Sequence, residues 1–151
     1  MWAKFLDDKT VIVSELRSEI LALYSGTQRT KTANIQKYLD TRAAEIAAMG
    51  YKVVRIPIPG PVWSSSGDVF RSYTNSLVVN GHALVPRYVT PAYEDLATSR
   101  GTYIDASYRS KYEAEVIRIY QNAGYAFTWI PSDELIAMGG AVHCTTMQIA
   151  K

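Results

Sequence analysis

Residues that carry chemistry are scarce here: the 151-residue chain has one cysteine and two histidines. A single cysteine excludes an internal disulfide. Together with two histidines it is too little for a zinc site, and the spacing fits no metal-ligand pattern. No glycine-rich phosphate loop follows a strand; Gly139-Gly140 lacks the spacing and has no helix pattern after it. No metal and no nucleotide cofactor is therefore expected. Lysines and arginines form no run of the length that marks a nucleic-acid surface, and the formal net charge is only +2. Apolar runs fall far short of the roughly 20 residues that span a bilayer, so no membrane partner is expected. Residues 1–20 alternate charge with apolar positions (Lys4, Asp7, Asp8, Lys9, Glu15, Arg17), unlike a signal peptide.

What is present is an ordinary globular balance, 48% hydrophobic and 20% charged, enough for one domain over 1–151 with its own core. The 11 tyrosines fit amphipathic packing better than a ligand-binding role. Strand and helix patterns alternate. Thr10–Ser14 reads as a strand after an Asp-Asp-Lys turn. Ile35, Tyr38, Leu39, Ile46 and Met49 form a helical stripe stopped by Gly50, and Tyr51–Ile58 reads as the next strand. In the second half, Leu77–Asn80 and Ala83–Pro86 flank a hairpin turn at Gly81-His82. Ser110 and Glu113 have capping-box spacing ahead of a stripe of Tyr112, Val116, Ile119, Tyr120 and Ala123, which Gly124 stops. Tyr125–Pro131 then reads as a strand. Gly50-Tyr51 and Ile56-Pro57 recur 74 residues later as Gly124-Tyr125 and Ile130-Pro131, and the same offset carries Thr10-Val11 onto Leu84-Val85. The fold class is therefore α/β, with an internal repeat over roughly 8–60 and 82–134. Pro59–Tyr73 is the longest irregular stretch, a binding loop or a plain connection.

The run from Met138 to Ile149 concentrates the chemistry. The Gly139-Gly140 pair lets backbone pass close to a ligand, and a strand-like segment then delivers Cys144. A lone cysteine is ordinarily a small buried hydrophobe; the glycines, His143 and Thr145-Thr146 favour a functional thiol. His143 is not read as its base, because neighbours on a strand point to opposite faces. His82, at the turn, reads as an exposed residue. Nucleophilic cysteine chemistry needs a base or cationic neighbour to hold the thiolate, and neither histidine fits that role.

Gly139-Gly140-Ala141-Val142-His143-Cys144-Thr145-Thr146 resembles the terminal Gly-Gly-x-x-His-Cys-x-Thr motif of bacterial peptidylarginine deiminases and agmatine deiminases. Ser72-Tyr73-Thr74-Asn75-Ser76, with Val78-Val79-Asn80-Gly81, resembles their Ser-Tyr-x-Asn…Asn-Gly block. Trp2-Ala3-Lys4-Phe5 with Asp8-Lys9-Thr10-Val11 resembles the strand after their His-x-Asp motif. The resemblance implies a partial pentein, an α/β propeller of which this chain holds about two strand–helix–strand modules of five. It implies Cys144 as nucleophile at a guanidinium carbon, Asn75 in the active site, and an arginine-type small molecule or peptide as substrate. The family's His-x-Asp pair would stand immediately before Met1, so the base and a guanidinium-gripping carboxylate are expected outside this sequence. The chain by itself is then expected to be inactive or nearly so. It is also expected to form homo-oligomers through faces that further modules would cover. Trp63 and Arg71 would border the pocket or pack at the surface. Alternatives are a noncatalytic binding or assembly module that retains the motif, and an amidinotransferase.

Overall fold

The computed structural model describes residues 1–63, 68–89 and 106–146. It contains two similar units. In the first, β1 (Ala3–Phe5) pairs antiparallel with β2 (Thr10–Glu15), and β2 pairs parallel with β3 (Lys52–Pro57). Helices α1 (Ser18–Leu21) and α2 (Gly26–Ala48) make the crossover. In the second, β4 (Leu77–Val79) pairs antiparallel with β5 (His82–Arg87), which pairs parallel with β6 (Ala126–Pro131), and α3 (Ala106–Asn122) lies on the crossover. Each sheet has three strands, ordered β1-β2-β3 and β4-β5-β6. A short α4 (Asp133–Ala137) and a 3₁₀ turn, His143–Thr145, follow.

The central strands explain why β2 reads as a near-continuous apolar run. Alternating side chains send Val11 and Val13 toward Ala43 of α2, and Ile12 into the core shared with the second unit. That shared core also holds Ile56, Tyr73, Val85, Val116 and Tyr120, so both units close over one apolar interior. Glycines end the long helices: Gly50 and Gly124 adopt φ of 93° and 88°. At Gly124 the stop is complete, with Gly124 N–H donating to Gln121 O and Tyr125 N–H to Tyr120 O.

The two units share one strand order, but their strands are related by two different offsets. β3 and β6 are related by the expected 74 residues, but Thr10 pairs with Lys52 as His82 pairs with Ala126, so Thr10 corresponds to His82 and not to Leu84. The slip is even, so each residue keeps its face of the sheet. Its source is in the crossovers, which carry the chain 42 positions from Thr10 to Lys52 but 44 from His82 to Ala126. The first hairpin turns through Asp7-Asp8-Lys9, closed by Asp7 Oδ1 accepting from the N–H groups of Lys9 and Thr10. The second turns through Asn80-Gly81, both at positive φ as a tight two-residue turn requires; the turn is not Gly81-His82, and His82 opens β5 as an exposed residue.

Two helix expectations change. Ser110 does not cap α3, which already runs from Ala106; Glu113 instead accepts a two-pronged bond from the Arg87 guanidinium, at 3.0 and 2.8 Å. On α2 the buried positions are Thr32, Leu39 and Ala43, while Tyr38 and Met49 face outward. Ser64–Gly67 of the long connection and residues 147–149 of the cysteine-bearing run lie outside the described residues.

Candidate active site

Cys144 is delivered by a turn, not a strand. Gly139, at φ 96°, stops α4: its N–H donates to Ile136 O, and that of Gly140 to Leu135 O. Gly140 has a separate task. A Cβ there would lie 2.7 Å from Cys144 Cβ, so the second glycine makes room for the cysteine itself. Thr145 Oγ1 donates to Ala141 O and Val142 O, and Thr146 Oγ1 to His143 O, which fixes the tight turn around Cys144.

Asn75 meets that turn from a segment 69 residues earlier. Its Oδ1 accepts the His143 N–H at 3.1 Å. Its Nδ2 donates to Cys144 Sγ at 3.3 Å, the geometry that serves a thiolate, and Oδ1 stands 3.5 Å away to accept from a thiol. The two residues expected at the site are thus in contact, with Asn75 4% exposed and Cys144 open to solvent. Backbone hydrogen bonding at Ala141, then the Asn75 amide, hold the Cys144 thiol below its ordinary range; the Met1 ammonium adds a smaller pull. Among the described residues, Asn75 is the side chain hydrogen-bonded to Sγ.

The His143 side chain takes no part in that contact; only its backbone N–H reaches Asn75. It sits on a 3₁₀ turn, where successive side chains are about a third of a turn apart, so strand alternation is not what separates it from Cys144. Its ring lines a cleft of about 500 Å³ with Lys4, Phe5, Leu6, Leu77, Val78 and Thr146. Burial, then the charge of Lys4, lower the imidazole pKa.

The wording of the Ser72–Ser76 block has a physical explanation that its sequence did not disclose. All five residues are buried, and the four around Asn75 fasten it. Thr74 Oγ1 donates to Met1 O at 3.0 Å; Ser72 Oγ lies 2.7 Å from Thr74 Oγ1 and 3.0 Å from Ser14 Oγ. On the other side, Ser76 Oγ lies 2.8 Å from Tyr120 Oη, which donates to Tyr73 O at 2.9 Å. Tyr88 Oη donates to Ser72 O at 3.2 Å. Ser14, Tyr88 and Tyr120 carry no local motif. Trp63 and Arg71 are neither surface residues nor among the cleft's lining: Trp63 packs with Leu16, Ile20 and Tyr24 and donates to Thr32 Oγ1, and buried Arg71 donates to Gly60 O. Among the described residues no group of three His, Cys, Asp or Glu could hold a metal ion, and no helix is long and apolar enough to cross a membrane.

Residues 1–150 match the family model of the Porphyromonas-type peptidyl-arginine deiminases. A Vibrio parahaemolyticus protein named as a candidate agmatine deiminase is 31% identical over 129 residues, covering 73% of this chain and 29% of its own length. A Yersinia pestis protein of the same name is 28% identical over 102 residues, 65% of this chain and 27% of its own. The chain thus spans less than a third of the length of these curated relatives. Among solved structures, a Porphyromonas gingivalis protein described as a candidate arginine deiminase superposes with TM-score 0.65 at 18% identity, covering 98% of this chain and 37% of that one. The C. jejuni agmatine deiminase superposes at 0.57 with 17% identity, covering 95% and 36%. A cysteine-to-serine variant of that enzyme with substrate bound superposes at 0.52 with 18% identity, covering 94% and 34%. These neighbours are pentein-fold deiminases, and the two units described above are a partial pentein.

Proposed function

Because the chain belongs to the Porphyromonas-type peptidyl-arginine deiminase family, we propose that it forms the cysteine-bearing part of a hydrolase acting on arginine-type guanidinium groups. The observation that carries this reading is the contact between buried Asn75 and solvent-open Cys144, whose turn is accommodated by a glycine that leaves room for the cysteine. Cys144 Sγ, as thiolate, attacks the guanidinium carbon. The tetrahedral adduct expels ammonia, which takes up a proton as it leaves, and the resulting thiouronium is hydrolysed by water to a ureido product with return of the thiol. Asn75 holds Sγ through Nδ2 and steers the line of attack. The C. jejuni variant that exchanges a cysteine for serine and holds substrate supports a cysteine at the centre of such a site.

Proton transfer to the leaving ammonia and activation of water need a general acid/base. His143 is turned to the cleft, and the partner of Sγ is an amide that does not titrate. We therefore assign the 151-residue chain by itself little or no turnover. The test is ureido-product formation from peptidyl-arginine and from agmatine. Expected is at most trace product, abolished in Cys144→Ala. Robust turnover lost on Cys144→Ala would remove the claim of incompleteness and keep the nucleophile; turnover surviving that substitution would remove the nucleophile.

A further inference from the structure

The hydroxyl groups around Asn75 have only one consistent direction. A carbonyl oxygen can only accept, so Thr74 Oγ1, 3.0 Å from Met1 O, spends its proton there. Ser72 Oγ, 2.7 Å from Thr74 Oγ1, must then be the donor of that pair. Ser72 Oγ in turn accepts from the Thr74 N–H at 3.2 Å and from Ser14 Oγ at 3.0 Å. Protons thus point one way, from Ser14 through Ser72 and Thr74 to the Met1 carbonyl. Ser14 is 1% exposed, Ser72 6% and Thr74 not at all, so solvent does not compete and the bonds reinforce one another. Three separate pieces of chain meet in this relay: β2, the backbone just ahead of β1, and the block that bears Asn75. Asn75 N–H donates to Ser72 O, which ties the relay to the residue that touches Cys144.

We propose that Thr74 is a positioning residue for the nucleophile: its hydroxyl locks the backbone at Met1 to the Asn75 turn and so fixes the Asn75 amide against Cys144. The proposal rests on the functional reading of the Asn75–Cys144 pair, and goes beyond it by naming what holds that pair in register. Thr74 is fully buried, and its hydroxyl bonds to Ser72 and Met1, not to the thiol. A threonine filling core space would do so equally well as valine; a positioning hydroxyl would not.

Cys144 is the only cysteine of the chain, so its alkylation by iodoacetamide across pH reads this one thiol without need of turnover. Asn75→Ala is the reference: it should raise the midpoint of the alkylation profile and slow the rate at neutral pH. Thr74→Val should move midpoint and rate in the same direction, slowing alkylation about threefold or more, and Thr74→Ser should restore the original profile. Ser14→Ala, which removes only the first donor, should give a smaller change of the same sign. If Asn75→Ala shifts the profile while Thr74→Val does not, the positioning role is overturned and the Asn75 reading stands. If Asn75→Ala leaves the profile unchanged, the reading beneath it fails as well. A Thr74→Val chain that loses its fold by circular dichroism would also overturn the proposal, since the hydroxyl would then be holding the core and not the site.

Discussion

At the scale of single residues, Cys144 is set apart by what surrounds its sulfur. Backbone and Asn75 hydrogen bonds favour the thiolate over the thiol, so the alkylation midpoint should fall below the ordinary cysteine value of about 8.5. The sign follows from the direction of the shift: reactivity is present above that lowered midpoint and disappears as pH falls through it. An unshifted midpoint in the folded chain would contradict the contact geometry. Gly140 makes a second residue-scale case. Gly140→Ala would place a methyl 2.7 Å from Cys144 Cβ, and the cysteine turn must move to accept it. That should destabilise the fold by about 1–3 kcal/mol in urea titration and blunt the reactivity of Cys144. Cys144 was legible in the sequence because its type and neighbours are rare. Its setting was less so: a Gly-Gly pair reads equally as room for a ligand and, as it turned out, as one helix stop plus room for the cysteine itself.

At the scale of elements, the legible features were those written in adjacent residues. Gly50-Tyr51 and Gly124-Tyr125 disclosed two helix stops and the strands behind them, because positive φ and the wrap-back bond are local events. The two-residue slip was hidden because it lies in the lengths of the two crossovers, and only the register of the parallel pairs tells them apart. Ser110 and Glu113 had the right spacing for a cap but sat inside a helix that began earlier, and Glu113 was claimed by Arg87. The hydroxyl bonds around Ser72–Ser76 were beyond sequence reading, since Ser14 and Tyr120 lie 58 and 44 residues from their partners. They have a measurable consequence. Tyr120→Phe keeps the ring in the core but leaves Ser76 Oγ and Tyr73 O, both in buried residues, without that partner. We expect a loss of about 1–3 kcal/mol in chemical denaturation; a loss near zero would mean that water replaces the phenol.

At the scale of the whole molecule, the two units are held by more than their common core. Arg17, beyond β2, makes a two-pronged bond to Glu115 of α3 at 2.8 and 2.6 Å and lies over the Tyr112 ring at 5.4 Å. The two side chains are only 23% and 20% exposed, so the pair is better shielded than a surface ion pair. This joint leaves uncovered the exposed aromatic residues around β1 of the first sheet. Phe5 is 57% exposed and Met49 72%, with Trp2 against Tyr38 and Phe5 against Tyr51 in edge-to-face contact. β1 and β3 are the edges of that sheet, so apolar surface and open backbone groups occur together. We propose that a second copy of this chain covers that face in solution, giving a concentration-dependent dimer or larger species. Sedimentation across a wide concentration range should show the association, and Met49→Glu, which charges an exposed position that does not line the His143 cleft, should weaken it while preserving the alkylation profile of Cys144. A chain that stays monomeric throughout, or that associates as strongly with Met49→Glu, would place this apolar face outside any self-contact.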